Sequence, residues 1–105
     1  MMCRNKEKAE TARLEIIEKS GNEKVDIIII DLASLKSVRK AAEEFKSKYD
    51  KLNVLINNGG VFNPNRVLTD DGYESTFGVN YLAHFSLTNL LLDTIIKSAP
   101  SRIIN

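Results

Sequence analysis

The sequence predicts an α/β fold with a parallel sheet, and three observations lead there. Two short apolar runs, Val25-Asp26-Ile27-Ile28-Ile29-Ile30 and Leu52-Asn53-Val54-Leu55-Ile56, have the length and branched side chains of buried strands. Between them Leu35, Val38, Ala42, Phe45 and Tyr49 recur at helical spacing, which makes the segment a βαβ unit with a right-handed crossover. The second run stops in Asn57-Asn58-Gly59-Gly60, so its tip carries no bulky side chain. Ligands of open parallel sheets bind outside the carboxyl ends of the strands, which makes Asn58 to Gly60 a candidate nucleotide site. A plain glycine turn after a core strand is the alternative.

Taken in order, the chain begins with a scrap of apolar sequence, Met1 to Cys3, followed by Arg4-Asn5. A helix is predicted over Lys6 to Lys19, with Ala9, Ala12 and Ile16 on one face and Gly21 as its stop. The run Val25 to Ile30 lacks alternation, as expected of a strand covered on both faces, and ends in Asp31-Leu32. Ser34 is the predicted N-cap of a helix to Lys48. Val61 to Leu68 contains Asn63-Pro64-Asn65 and reads as a loop. Asp71 and Glu74 resemble a capping box, with Thr69 as a rival cap, for a long helix to Lys97. On that helix Phe77, Asn80, His84, Leu87 and Leu91 form one stripe, which places Asn80 and His84 among residues expected to be buried. Pro100 ends the helix region and Arg102-Ile103-Ile104-Asn105 starts another strand. The order is (β)αβαβα(β).

Composition narrows the function classes. The 105 residues fit one domain, with 43% hydrophobic and 28% charged residues. A formal charge of +1 argues neither for a nucleic-acid partner nor for an anionic membrane, and no nucleic acid is expected as partner. One cysteine, Cys3, and one histidine, His84, exclude a disulfide framework and a metal site, and fit an intracellular protein. No run is long enough for a transmembrane helix, and no apolar leader is visible at the N-terminus.

Arg4-Asn5, Asp31-Leu32, Asn57-Asn58-Gly59-Gly60 and Phe77-Gly78-Val79-Asn80-Tyr81-Leu82-Ala83-His84-Phe85 together resemble the short-chain dehydrogenase/reductase superfamily, in wording nearest its retinol-dehydrogenase-like branch. The match runs from Cys3 to Asn105, and the spacing from Asn-Asn-Gly-Gly to Gly-Val-Asn is its most specific part. The resemblance implies an NADP(H)-dependent oxidoreductase that interconverts an alcohol and a carbonyl, on a retinoid or another lipophilic substrate, with NAD as the alternative cofactor. Arg4 matches the basic residue that contacts the adenosine 2′-phosphate of NADP, since a guanidinium pairs with phosphate where an acid would serve NAD. Its other reading is a solvated cluster with Lys6, Lys8 and Arg13. Asp31 matches the acid that accepts from the adenine amino group, with Leu32 beside the ring; its other reading is a turn former before Ser34. Asn58, Gly59 and Gly60 match the Asn-Ala-Gly that lines the cofactor, with Gly59 in place of the alanine. Asn80 matches the asparagine of the Asn-Ser-Tyr-Lys catalytic set, which holds a water of the proton relay; its other reading is a structural amide at a helix irregularity. The family gives His84 no chemistry, so it reads as a packed, hydrogen-bonded histidine.

Much of the family's machinery is not in these residues. No Tyr-x-x-x-Lys occurs, and Tyr73 and Tyr81 have Phe77 and Phe85 four residues on. The glycines at 21, 59, 60, 72 and 78 form no phosphate-binding turn. The fold expected over residues 1–105 is therefore a partial NAD(P)-binding Rossmann domain, an incomplete parallel sheet. In the strand order 3-2-1-4-5-6, strands 3 and 4 are whole, 2 and 5 truncated, and 1 absent. Strands 3 and 4 are not neighbours in that order, so a chain that keeps them apart has a void where strand 1 belongs. The chain alone is expected to be catalytically inactive and unstable or rearranged. The readings weighed are a central piece of such an enzyme, a non-catalytic short product acting as an interaction module, and an unrelated α/β binding domain. The parent is expected to be a homodimer in the cytoplasm or on the cytosolic face of the endoplasmic reticulum, with a small-molecule substrate.

Overall fold

Asn5 starts the first helix by accepting a hydrogen bond from the Lys8 backbone N–H at 2.9 Å. In the computed structural model, which describes residues 1–105, this helix is α1 (Lys6–Ser20), and Gly21 closes it at φ 69° with its N–H on the Ile17 carbonyl. Of the predicted apolar stripe, Ala9 is buried, Ala12 half-buried and Ile16 40% exposed, so α1 is covered toward its N-terminal half. The strand before it, β1 (Met2–Cys3), pairs in parallel with β2 (Ile28–Ile29). The predicted strand Val25–Ile30 is thus shortened to two ladder residues, because β1 offers only two partners.

The helix α2 (Leu35–Lys48) begins as predicted, but Ser34 does not cap it with its side chain. The Asp71 carboxylate does so from a distant loop, accepting from the Leu35 N–H at 2.7 Å. Next come β3 (Val54–Ile56) and, after the last helix, β4 (Arg102–Ile104), again parallel, with Leu55 opposite Ile103.

The long helix expected before β4 is three pieces: α3 (Ser75–Phe77), a π-helical turn (Gly78–Leu82) and α4 (Ala83–Lys97). Asp71 is committed to α2, and Glu74 supplies the cap instead, accepting from the N–H groups of Thr76 and Phe77. The wide turn packs its glycine tightly, since a Cβ on Gly78 would lie 2.6 Å from Thr69 Cγ2. One extra residue in the turn advances the helix face by roughly 100°. The predicted stripe therefore splits: His84, Leu87 and Leu91 are buried, whereas Phe77 and Asn80 are exposed. Asn80 is not among the buried residues where the sequence pattern places it.

Those two backbone hydrogen bonds hold the Glu74 carboxyl below the usual carboxylate range. A lowered folded-state pKa stabilises the fold above the ordinary carboxylate pKa, and that contribution disappears as pH falls through the lowered value. Glu74→Gln is expected to flatten this part of the acid limb of a Tm-against-pH curve measured between about pH 7 and pH 3.

The core lies on one side of the strands, where Ile28, Ile30 and Leu55 meet Val38, Ala41 and Ala42 of α2 and Ala83, Leu87, Leu91 and Ile95 of α4. The opposite face is only partly covered. Ile29, Val54 and Ile56 are 43%, 44% and 61% exposed, so the expectation of strands covered on both faces does not hold. The strands also form no continuous sheet: β1–β2 and β3–β4 are separate two-stranded pairs. They stay apart, as the order 3-2-1-4-5 requires when its strand 1 is lacking. The radius of gyration, 14.5 Å, exceeds the roughly 13 Å of a compact domain of this size, consistent with a gap through the middle.

Candidate functional site

The carboxyl ends of both strand pairs converge. Register puts Arg4 and Asp31 at the same end of the pair, since Cys3 stands opposite Ile29, which places Arg4 opposite Ile30 and one position from Asp31. Leu32 then crosses toward the second pair, where a Cβ on Gly59 would lie 2.8 Å from Leu32 Cδ1. The contact explains how glycine serves at this position. An alanine is compatible with it only if the end of the Leu32 side chain rotates away.

Two side chains one helical turn apart hold the Gly59–Gly60 tip from behind. Asn80 Oδ1 accepts from the Val61 N–H at 2.8 Å, and Asn80 Nδ2 donates to the Val61 carbonyl at 2.9 Å. His84 Nε2 lies 2.6 Å from the Gly59 carbonyl oxygen. A carbonyl only accepts, so Nε2 carries the hydrogen, and Nδ1 is left as a buried acceptor with no partner. The residues on either side of Gly60 are thereby pinned to the π-helical turn and the first turn of α4. Sequence reasoning assigned His84 a packed, hydrogen-bonded place, which the geometry matches; what it missed is that the bond goes to the strand tip. The paired spacing of Asn80 and His84 was the available signal.

The remaining predicted residues are less committed. Arg4 is exposed and makes no ion pair, so its guanidinium is free at the strand end. Asp31 Oδ1 accepts from the Ala33 N–H at 2.9 Å, which is the turn-forming role, and its other oxygen takes no hydrogen bond from the protein. Asn58 is exposed and its side chain bonds nothing. Its neighbour Asn57 turns inward, donating to Thr88 Oγ1 at 3.1 Å and to Asn105 Oδ1 at 2.8 Å, with its own Oδ1 buried and unpartnered. Asn57, Asn80, His84 and Thr88 face a second cleft of about 570 Å³ beside β4. Such amide, imidazole and hydroxyl groups can orient a polar ligand or an ordered water. Tyr49 stands apart, on the wall of the cleft between the strand pairs, where its hydrogen bond to Asp26 pushes the phenol above its ordinary pKa.

Comparison with known proteins reads this geometry consistently. Residues 1–105 match the family model described as short chain dehydrogenase. Retinol dehydrogenase 13 of Homo sapiens is 48% identical over 105 residues, which are 100% of this chain and 32% of that protein. Polyprenol dehydrogenase of Homo sapiens is 48% identical over 94 residues, 90% of this chain and 28% of that protein. Among solved structures, the alcohol dehydrogenase of Thermococcus sibiricus, complexed with 5-hydroxy-NADP, superposes with a TM-score of 0.74 at 19% identity, covering 92% of this chain and 42% of that one. The chain thus spans about a third of the length of the curated relatives it matches. The superposition agrees with an incomplete Rossmann-type α/β fold, and with the family match along its whole length the chain belongs to the short-chain dehydrogenases.

Proposed function

We propose that these residues form the central part of an NADP(H)-dependent oxidoreductase that interconverts an alcohol and a carbonyl on a lipophilic, isoprenoid-type substrate. The observation that carries the reading is the strand-end ledge: Gly59 and Gly60 lie bare at the tip of β3 and are clamped from behind through Gly59 and Val61 by His84 and Asn80. A clamped, side-chain-free backbone suits the close approach of a flat cofactor. NADP(H) supplies a hydride donor or acceptor when bound. On this chain Arg4 would hold the 2′-phosphate, Asp31 through its free oxygen and Leu32 the adenine, and Asn58, Gly59 and Gly60 the ribose side. The convergence of Arg4, Asp31, Leu32 and Gly59 at one edge supports that fit.

Asn80 spends one bond of each polar atom on Val61, which leaves a second lone pair on Oδ1 and a second hydrogen on Nδ2 to hold an ordered water of the proton relay. No Tyr-x-x-x-Lys pair stands among the 105 residues, so this reading keeps the proton donor outside them and the chain alone inactive. The substrate class rests on the relatives, whose names specify retinol and polyprenol. The exposed aromatic row Phe77, Tyr81 and Phe85, with ring centroids 5.4 Å and 6.2 Å apart, supports a homodimer of the longer protein. No helix is long and apolar enough to cross a membrane.

The test of the cofactor assignment is Arg4→Glu in the full-length protein. Losing one charge-assisted pair with phosphate is expected to lower the NADPH-over-NADH preference in kcat/KM by about tenfold or more. An unchanged preference would remove Arg4 from the phosphate site.

A further inference from the structure

We propose that Asn58 is a modification site: its side-chain amide is lost as ammonia to attack by the next backbone nitrogen, which leaves a carboxylate on the strand-end ledge. Asn58 is the only asparagine of the chain that is followed by glycine. Glycine has no Cβ to shield its amide nitrogen and restricts the backbone little, so an Asn-Gly peptide closes a five-membered ring more readily than other Asn-X peptides. The local structure leaves that ring closure open. Asn58 and Gly59 are exposed, beyond the end of β3 and outside any helix or strand. Neither the Asn58 side chain and carbonyl nor the Gly59 N–H makes a hydrogen bond. On either side the chain is anchored, by the Asn57 N–H on the Ile104 carbonyl at 2.8 Å and by His84 Nε2 on the Gly59 carbonyl at 2.6 Å. The reacting peptide is thus free between two fixed points. Asp71-Gly72 supplies the contrast within the same chain. There the Asp71 carboxylate accepts from the Leu35 N–H at 2.7 Å, and the Gly72 N–H donates to the Thr69 carbonyl at 2.9 Å, so both reacting groups are held.

The reaction balances as a hydrolysis. The Gly59 nitrogen gives up its proton and bonds to Asn58 Cγ, the Cγ–Nδ2 bond breaks, and Nδ2 takes up a proton and leaves as ammonia. Water then opens the cyclic imide at one of its two carbonyls. Opening at Cγ restores the peptide with aspartate at position 58. Opening at the backbone carbonyl leaves the chain linked through Cγ, as isoaspartate, one carbon longer between the two anchors. One water is consumed, one ammonia is released, and nothing is oxidised or reduced. Either product puts a negative charge on the ledge at neutral pH. That charge opposes the phosphates of a dinucleotide, so conversion weakens NADP(H) binding, and bound cofactor covers Asn58 and slows its conversion. These two consequences rest on the cofactor reading above, whereas the modification does not.

The experiment ages the full-length protein at mildly alkaline pH, with and without NADPH, and follows each asparagine by peptide mass spectrometry. Without NADPH, Asn58 is expected to exchange –NH2 for –OH about tenfold or more faster than Asn22 and Asn65, which are also exposed but precede Glu23 and Arg66. NADPH is expected to slow Asn58 alone. Gly59→Ala is expected to slow conversion about tenfold. It is made in a Leu32→Val background and compared with Leu32→Val, because the Leu32 Cδ1 atom that a Cβ at position 59 would meet is then gone. Fluorescence titration with NADPH is expected to show about tenfold weaker binding for the aged protein and for unaged Asn58→Asp than for the fresh parent. A rate at Asn58 no greater than at Asn22 and Asn65 overturns the modification, as does a rate indifferent to Gly59→Ala. Aged protein that binds NADPH as tightly as fresh protein overturns the consequence for the cofactor. Conversion of Asn58 in a fresh protein that binds no NADPH upholds the modification and removes the cofactor reading.

Discussion

Leu91→Ala is expected to destabilise the fold by about 3 kcal/mol, within the 2–5 kcal/mol usual for removing a buried leucine side chain. Leu91 is fully buried where α4 meets α2, in a cluster with Val38, Ala41 and Ala42. Its neighbours are themselves small or held by the helices, so little can collapse into the space left behind. Leu92 is the internal control. It is 38% exposed on the same helix, and Leu92→Ala is expected to cost about 1 kcal/mol or less. Urea unfolding of the two variants against the parent chain checks the difference. A single domain holds about 5–15 kcal/mol in total, so the loss at Leu91 is a large share of the stability. Equal effects of the two substitutions would mean that the α2–α4 interface is not the core.

The second large effect is expected at Asn80. In the full-length protein, Asn80→Ala is expected to lower kcat about 100-fold, the lower end of what a positioned proton transfer contributes. Both hydrogen bonds to Val61 disappear, leaving that backbone without its partners beside the π-helical turn. The kinetic split separates two roles. If Asn80 holds a proton relay, kcat falls and the KM for NADPH stays nearly level. If it only supports the ledge, KM rises and kcat holds. Asn80→Asp keeps the acceptor for the Val61 N–H but loses the donor to the Val61 carbonyl, and is expected to fall between parent and alanine variant.

Several elements were legible because their causes are local. Asn5 and Gly21 bracket α1 by side-chain capping and a left-handed backbone, which depend on nearest neighbours alone. The α2 stripe was read correctly for its central residues, since Val38 and Ala42 are buried at helical spacing. The C-terminal limit of α4 at Lys97 and the strand from Arg102 also followed from proline and apolar runs. The family motifs were legible in the same way, as short strings at characteristic separations.

The failures share a different cause. Ser34 looked like a cap, but the Leu35 N–H is taken by Asp71, 36 residues on, and no local pattern reports so distant a competitor. A helical stripe assumes a constant turn, so the π-helical insertion at Gly78–Leu82 rotated Phe77 and Asn80 out of the core. The four isoleucines promised a strand covered twice, yet coverage depends on what packs on each face, and Ile29 stays 43% exposed on the face away from α2 and α4.

By itself, then, the sequence determined the α/β class, the element order, the family and the identity of the strand-end residues, because propensity, capping and motif spacing are properties of contiguous chain. Tertiary structure alone decided that Asn80 and His84 grip the two residues flanking Gly60, that Asp71 caps α2, and that the strands form two pairs with an apolar cleft between them. Each of these depends on backbone groups brought together from separate segments, and which hydrogen-bonding groups meet or stay unpaired is settled only when the segments pack.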